Sequence, residues 1–255
     1  MGPIDPTRVP ARISVVGGGR LGSALAGALG AAGIEVLGPV ARGEQPPPAD
    51  ALLLCVPDAE IAAAAEIAAG RAPLVGHTSG ATPLSALSAA GGDAFGLHPL
   101  QTFAGGESPE RFRGAGCAVA GTTPAAVAFA TTLADALGMH SFEITDEARP
   151  AYHAAASIAS NFLVTLMAAA EEASAVAGIE PGEARALLAP LVRSTVENWV
   201  ALGPERALTG PLARGDEATV EAQRRALERS AAHLLPLFDE LAERTRALAG
   251  RTVPA

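Results

Sequence analysis

Residues 12–16, Arg-Ile-Ser-Val-Val, form a β-rich run that passes directly into Gly17-Gly18-Gly19-Arg20-Leu21-Gly22, and an alanine-rich stretch then continues to Ala32. The spacing Gly17-x-Gly19-x-x-Gly22 suits a strand that turns sharply into a helix. The first glycine makes the turn, the second lets a phosphate approach the backbone, and the third lets helix and strand pack closely. The free N–H groups of the helix N-terminus then face an anion. In a glycine-rich chain such spacing can arise by chance. Its place after a strand and before a helix makes it a dinucleotide signal. The expected cofactor contacts are Gly17, Gly19, Arg20, Leu21 and Gly22. Residues 34–40 read as a second strand, and the tip beyond it, Leu37-Gly38-Pro39-Val40-Ala41-Arg42, carries no acid to bond a ribose 2′-hydroxyl. Arg42 instead suits a 2′-phosphate through paired charge-assisted bonds, which points to NADP in preference to NAD.

Strands are expected at 51–56, 73–77, 94–97, 117–120 and 140–144, separated by helices at 59–69, from about Thr82, and at 124–137. This alternation predicts an α/β fold, a doubly wound parallel Rossmann sheet over 9–145. Beyond Asp146 no strand is evident. Residues 146–255 read as an all-helical substrate and dimerisation domain. It has a long helix from about 147 to 177 with Asp146 as N-cap, a helix from Pro181 bending at Pro190, one capped by Asp216, and a last one ending near 249.

Composition removes whole classes of chemistry. The chain contains no lysine, so its 18 basic residues are all arginine. A lysine base, a lysine Schiff base and a P-loop are excluded. The net charge of -9 is shared between -5 over 1–145 and -4 over 146–255, so neither part is a basic module for nucleic acid. Cys55 and Cys117 have no metal-ligand spacing and suit buried thiols in a reducing cytoplasm. No metal site is expected. The charge-free stretches 114–134 and 150–170 approach membrane-span length. Glycines and Pro124 break the first. The second reads as a soluble helix buried all round, with one polar stripe, so no membrane partner is expected.

Several residues are placed to act on a substrate. In an open sheet the C-terminal ends of the strands line the ligand crevice. Val56 and Pro57 should flank the cofactor there, and His77, Ser79 and His98 stand at the same kind of position. Asp58 reads as a helix N-cap, His140 as a structural residue on the opposite edge, and His233 as a surface or interface residue of the last helix. His153, Ser157 and Asn161 recur every four residues, about 80° apart in total on one helical stripe. Left unpaired in an apolar setting, each would cost roughly 1–3 kcal/mol. The stripe therefore packs on polar partners or faces a cleft. Arg214, before the helix capped by Asp216, either pairs with a substrate carboxylate or is a solvated loop arginine.

The glycine loop, Val56-Pro57-Asp58, His77-Thr78-Ser79-Gly80, Gly96-Leu97-His98-Pro99-Leu100-Gln101-Thr102-Phe103, Tyr152-His153 through Ser160-Asn161, and Gly210-Pro211 through Arg214-Gly215-Asp216 occur in this order. Together they resemble a bacterial family of two-domain Rossmann-like proteins whose second domain has unknown function. The architecture is similar to the 6-phosphogluconate dehydrogenase-like superfamily, which includes ketopantoate reductase, pyrroline-5-carboxylate reductase and prephenate dehydrogenase. The resemblance implies an NAD(P) domain, a helical dimerisation domain and a cytoplasmic homodimer. Where several relatives carry a catalytic lysine four residues before an asparagine, this chain offers His153, Ser157 and Asn161.

The resulting expectation is an NADP-dependent oxidoreductase reducing a small carboxylated carbonyl compound, with ketopantoate as the first candidate substrate. His153, Ser157, Asn161 and His98 would serve catalysis, and Arg214, Asp216 and Ser79 would contact substrate. An imine reductase of the pyrroline-5-carboxylate type, and a non-catalytic NADP-binding sensor or scaffold, are the alternatives.

Overall fold

The computed structural model describes residues 12–41 and 43–250. Arg42, expected to grip a 2′-phosphate, lies outside the described residues. The chain divides into two compact units, the first ending at Ser160 and the second beginning at Asn161.

The first unit is an α/β sheet of seven strands in the order β2-β1-β3-β4-β5-β6-β7. The strands are β1 (Arg12–Val16), β2 (Glu35–Val40), β3 (Ala51–Leu54), β4 (Leu74–His77), β5 (Asp93–Leu100), β6 (Gly116–Gly121) and β7 (His140–Glu143). Each matches a strand expected from sequence. The helices are α1 (Arg20–Ala31), α2 (Ile61–Ile67), α3 (Pro124–Ala136) and α4 (Arg149–Ala159). The helix expected from about Thr82 is a 3-10 segment, Leu84–Ala90.

Alternate residues of the strands feed two cores, as expected when a sheet is covered on both faces. Ile13, Val15 and Leu53 pack with Leu25 and Leu29 of α1 and Phe129 and Leu133 of α3. Leu52, Leu54 and Val75 pack with Ile61 and Ala65 of α2 and with Leu84 and Leu87. Phe95 meets Phe129 edge-on at 5.1 Å between ring centres. Thr123 caps α3 by accepting the Ala126 N–H, and Pro124 occupies the first turn, where its missing donor costs nothing.

Two features depart from the expected parallel sheet. β6 pairs antiparallel to β5, and β7 runs parallel to β6, so these two neighbouring strands oppose the other five. His140, at the start of β7, consequently lies beside Gly116 on the edge where β5 ends at Leu100. The expectation that it stands on the opposite edge is corrected, because that placement assumed a uniform strand direction. At β2, register slips between Ser14 and Val16, and Gly38 there has φ +109°. A β-carbon on Gly38 would stand 2.7 Å from the Val15 oxygen, so this bulge needs glycine.

The second unit contains α5 (Asn161–Val176), α6 (Pro181–Leu202), α7 (Pro204–Ala207), α8 (Glu217–Ser230) and α9 (Leu235–Ala249). Asp216 caps α8 as expected, accepting the Thr219 N–H at 3.1 Å. α6 runs as one element through Pro190. His233 falls in a 3-10 turn before α9 and meets Glu172 at 2.8 Å on the surface.

Three further expectations about the helices are corrected. The single helix from 147 to 177 is interrupted at Ser160, whose φ -119° and ψ -74° depart from regular helix values. A Ser-Asn pair offers the backbone local alternatives to helix continuation. Asp146 does not cap α4, because its carboxylate is spent on the Leu84 N–H at 3.0 Å and on Arg149 at 2.6 Å. Nor does Asp58 cap a helix, since it opens a short 3-10 turn without a side-chain cap bond.

The stretch Arg149–Val176 is long and apolar enough to cross a membrane, yet none of it is buried over its most apolar window. A helix buried all round was expected. The apolar surface is there, but the single chain does not cover it: Phe162 is 60% and Val164 70% exposed. Among the described residues of the second unit, only Ala184, Val220, Ala231 and Ala242 are buried hydrophobics.

Candidate functional site

The turn after β1 has the geometry its glycines predict. Gly17 takes φ +99°, and a β-carbon there would run into the carbonyl oxygen of Cys55. A β-carbon on Gly22 would overlap the Gly17 oxygen, so α1 leaves the strand as closely as a backbone allows. Gly19 is the N-cap of α1 with nothing beside its missing side chain. The Gly17 N–H donates to Val40 at the tip of β2 (2.9 Å), and the Ser23 hydroxyl donates to the Gly18 oxygen (3.0 Å). A groove of about 410 Å³ opens over this turn, lined by Gly18, Gly19, Arg20 and Ser23 and, opposite, Gly105, Gly106 and Glu107. The Glu107 carboxylate is turned back onto the Gly105 (2.8 Å) and Ala104 N–H groups. Those bonds, Gly105 first, hold it below the usual carboxylate range.

Val16 and Val56 lead to a second cavity, about 240 Å³ and largely apolar, closed by Pro46, Ala63, Ala64 and Ile67, with Glu44 and Glu60 at its rim. The backbone cradle, the open helix N-terminus and the adjoining apolar slot fit a dinucleotide. Pyrophosphate would lie on Gly18–Ser23 and a flat base in the slot.

Three strands along the same sheet edge, the loop after β4 and β5 gather a polar cluster. His77 ends β4 fully buried. Its Nδ1 accepts the Ser79 N–H at 3.2 Å, which places its proton on Nε2. Burial first, and Arg149 second, push His77 down to about 4. Ser79, expected to touch substrate, has its hydroxyl engaged by the N–H groups of Ala81 and Thr82 and by the Thr82 hydroxyl. This local turn brings Gly80 under two histidines. A β-carbon on Gly80 would stand 2.9 Å from Cε1 and Nε2 of His98 and 3.1 Å from Cδ2 of His153.

His98, in β5 just past the end of β4, meets the Tyr152 hydroxyl through Nδ1 at 2.6 Å. Burial, then His153 and Arg149, lower His98 to about 4. Burial raises the Tyr152 hydroxyl to about 12. Both groups are therefore neutral at neutral pH. The tautomer of the neutral imidazole sets which of the two atoms donates. The His98 and His153 rings stand 6.4 Å apart.

Arg149, one turn before Tyr152 and His153, is 2% exposed. Its Nε donates to Asp146 at 2.6 Å and its Nη1 to the Ser79 carbonyl at 3.2 Å, tying α4 to the histidine loop. Its Nη2 lies where a side chain on Gly96 would be, 2.8 Å from that β-carbon position.

The structure thus brings together Ser79, His98 and His153 among the expected residues. Ser157 shares α4 with His153, whereas Asn161 begins α5 in the other unit, so the expected single stripe ends at Ser157. Arg214 (exposed) and Asp216 (the α8 cap) also belong to that second unit. Tyr152 and Arg149 were missed as site residues. The signal was an arginine and a tyrosine at i, i+3 in an otherwise apolar helix, one residue from the chosen histidine.

The fold is shared with solved structures at low sequence identity. A Bacteroides fragilis protein, provisionally named an NADP oxidoreductase, superposes with a TM-score of 0.79 at 21% identity, covering 95% of this chain and 100% of that one. A Thermotoga maritima protein gives 0.75 at 23%, covering 93% and 98%. The Plasmodium falciparum pyrroline carboxylate reductase, solved with NADP bound, gives 0.60 at 11%, covering 94% and 99%. Among curated proteins, none matches this sequence. The family model described as Domain of unknown function (DUF2520) matches residues 115–245, from β6 to within α9, just over half of the chain, and the protein belongs to that family.

Proposed function

We propose that the protein is a soluble, cytoplasmic, NADP-dependent reductase of a small carboxylated carbonyl compound. One observation carries the reading: the glycine turn after β1 and the His98–Tyr152–His153 cluster occupy one edge of one sheet. β1 and β5 are three strand spacings apart, roughly 14 Å. A dinucleotide laid along that edge has its phosphates on Gly17–Ser23, its adenosine between Val16 and Val56, and its far end toward His98. When bound, it supplies hydride chemistry. The chain's residues do the rest. Gly17, Gly19, Arg20, Leu21 and Gly22 hold the pyrophosphate, Val56 and Pro57 flank a ribose, and Arg42 selects the 2′-phosphate. His98 and His153 receive the reacting oxygen, with Ser157 and Asn161 behind them on the chain. Arg214 and Asp216 from the helical domain contact the substrate, the arginine pairing with its carboxylate.

The domain division that goes with this reading is a cofactor domain over 9–145 and a substrate and dimerisation domain over 146–255. The second unit buries four small hydrophobic residues among those described, too little to offset its conformational entropy. A second copy over the face carrying Phe162, Val164 and Leu191 supplies the missing burial.

Ketopantoate is the first compound to test. 1-Pyrroline-5-carboxylate is the second, favoured by the fold shared with a pyrroline carboxylate reductase. The experiment is NADPH oxidation against a panel of both and related keto acids, with NADPH and NADH affinities in the wild type and Arg42→Ala. Turnover of one class, and NADPH binding weakened about tenfold or more with NADH unaffected, are expected. Tight NADPH binding without turnover on any compound would leave a cofactor-binding sensor instead.

A further inference from the structure

Resting on the reductase reading, we propose that the proton delivered to substrate originates on Tyr152 and passes through the imidazole of His98. The Tyr152 oxygen lies 2.6 Å from Nδ1 of His98, and the opposite nitrogen, Nε2, lies over Gly80 beside His153. In the relay Tyr152 is the donor to Nδ1, and the imidazole hydrogen rests on Nε2. The rings hold this alignment. Tyr152 stands perpendicular to His98 (90°, 5.5 Å) and packs edge-on against Phe142 at 5.8 Å. The carrying helix is pinned by Arg149 to Asp146 and to the Ser79 carbonyl.

The charged and titratable groups around His98 are His153 and Arg149 from α4 and Asp58 from the turn after β3. Their sum with burial keeps His98 neutral at neutral pH, so an imidazolium is not the resident proton source. A neutral imidazole can still pass a proton on if it receives one at its other nitrogen. After hydride reaches the carbonyl carbon, the C=O π pair resides on oxygen. That oxygen bonds to the proton leaving Nε2, while Nδ1 bonds to the proton leaving the Tyr152 oxygen. The carbonyl is reduced to an alcohol, the imidazole stays neutral with its tautomer exchanged, and the phenolate takes a proton from water after release. For an imine the nitrogen takes the same proton.

Tyr152→Phe keeps the ring contacts and removes only the hydroxyl. The expected result is a kcat lower by about 100-fold, in the range for a lost general acid, with NADPH affinity unchanged. The wild-type rate should be flat from pH 6 to 9, whereas the variant's rate, left to a His98 imidazolium that forms only near pH 4, should climb as pH falls below 6. Nitrogen-15 NMR of the wild type should show His98 at pH 7 as the neutral tautomer protonated at Nε2. A Tyr152→Phe enzyme with unchanged kcat and pH profile overturns the relay and leaves the reductase reading standing, as does a wild type protonated at Nδ1. A wild type that binds NADPH but turns over no compound of the panel overturns the reductase reading and the relay with it.

Discussion

Gly22 sits so close to Gly17 that a β-carbon on the first would overlap the carbonyl oxygen of the second. The obstructing atom is backbone and cannot rotate away. Gly22→Ala must push α1 off β1, an overpacking cost of about 1–3 kcal/mol. It also displaces the N–H groups of the anion cradle. A lower melting temperature together with NADPH affinity reduced tenfold or more is expected from thermal unfolding and fluorescence titration. Gly19→Ala, with nothing near the new carbon, should be far milder in stability.

Arg149 is buried with its partner Asp146 at 2.6 Å, and removing one member of a buried pair costs about 3–5 kcal/mol. Asp146 keeps some contact with solvent, so Arg149→Met should fall near the lower bound in urea unfolding. Because Arg149 pushes His77 and His98 down, NMR titration of the variant should show both histidines titrating at higher pH than in the wild type.

Acid stability follows from the same histidines. His77 titrates at about 4 when folded and near 6.5 when unfolded. Between those values the unfolded chain binds the extra proton, so stability is present above pH 6.5 and is lost as pH falls toward 4. For fully buried His77 the loss is on the order of 3 kcal/mol, and half-buried His98 adds a smaller part of the same sign. Urea midpoints measured from pH 7.5 down to 4.5 should fall, and His77→Gln should flatten the slope.

Val164 lies on the exposed face of α5 and lines an apolar groove of about 500 Å³ between α5 and α6. If a second copy covers that face, Val164→Asp should convert a dimer to a monomer in light scattering, and the wild-type melting temperature should rise with protein concentration. A wild type that is monomeric at high concentration would remove the dimer from the proposed function.

Local signals carried far in this chain. Alternating or continuous apolar runs bounded by glycine and proline located all seven strands, the Gly17–Gly22 spacing located the turn that approaches a phosphate, and Asp216 before an amphipathic run located a helix start. Each depends on residues within one turn or one strand of each other. Strand direction does not. The reversal of β6 and β7 is decided by how the loop from 101 to 115 returns across the sheet, and it moved His140 to the other edge. Nor does side-chain partnership across 54 or 70 positions, which is how Tyr152 found His98 and Arg149 found Ser79. Asp146 had an adequate local reason to be a cap and a stronger tertiary one to bind a buried guanidinium. By itself the sequence determined the strands, the glycine turn and the absence of lysine chemistry. Which polar groups share a desolvated site, and so which of them stay neutral and which can pass a proton, was decided only when the sheet brought distant strands and α4 together, because burial and charge proximity are properties of the assembled fold.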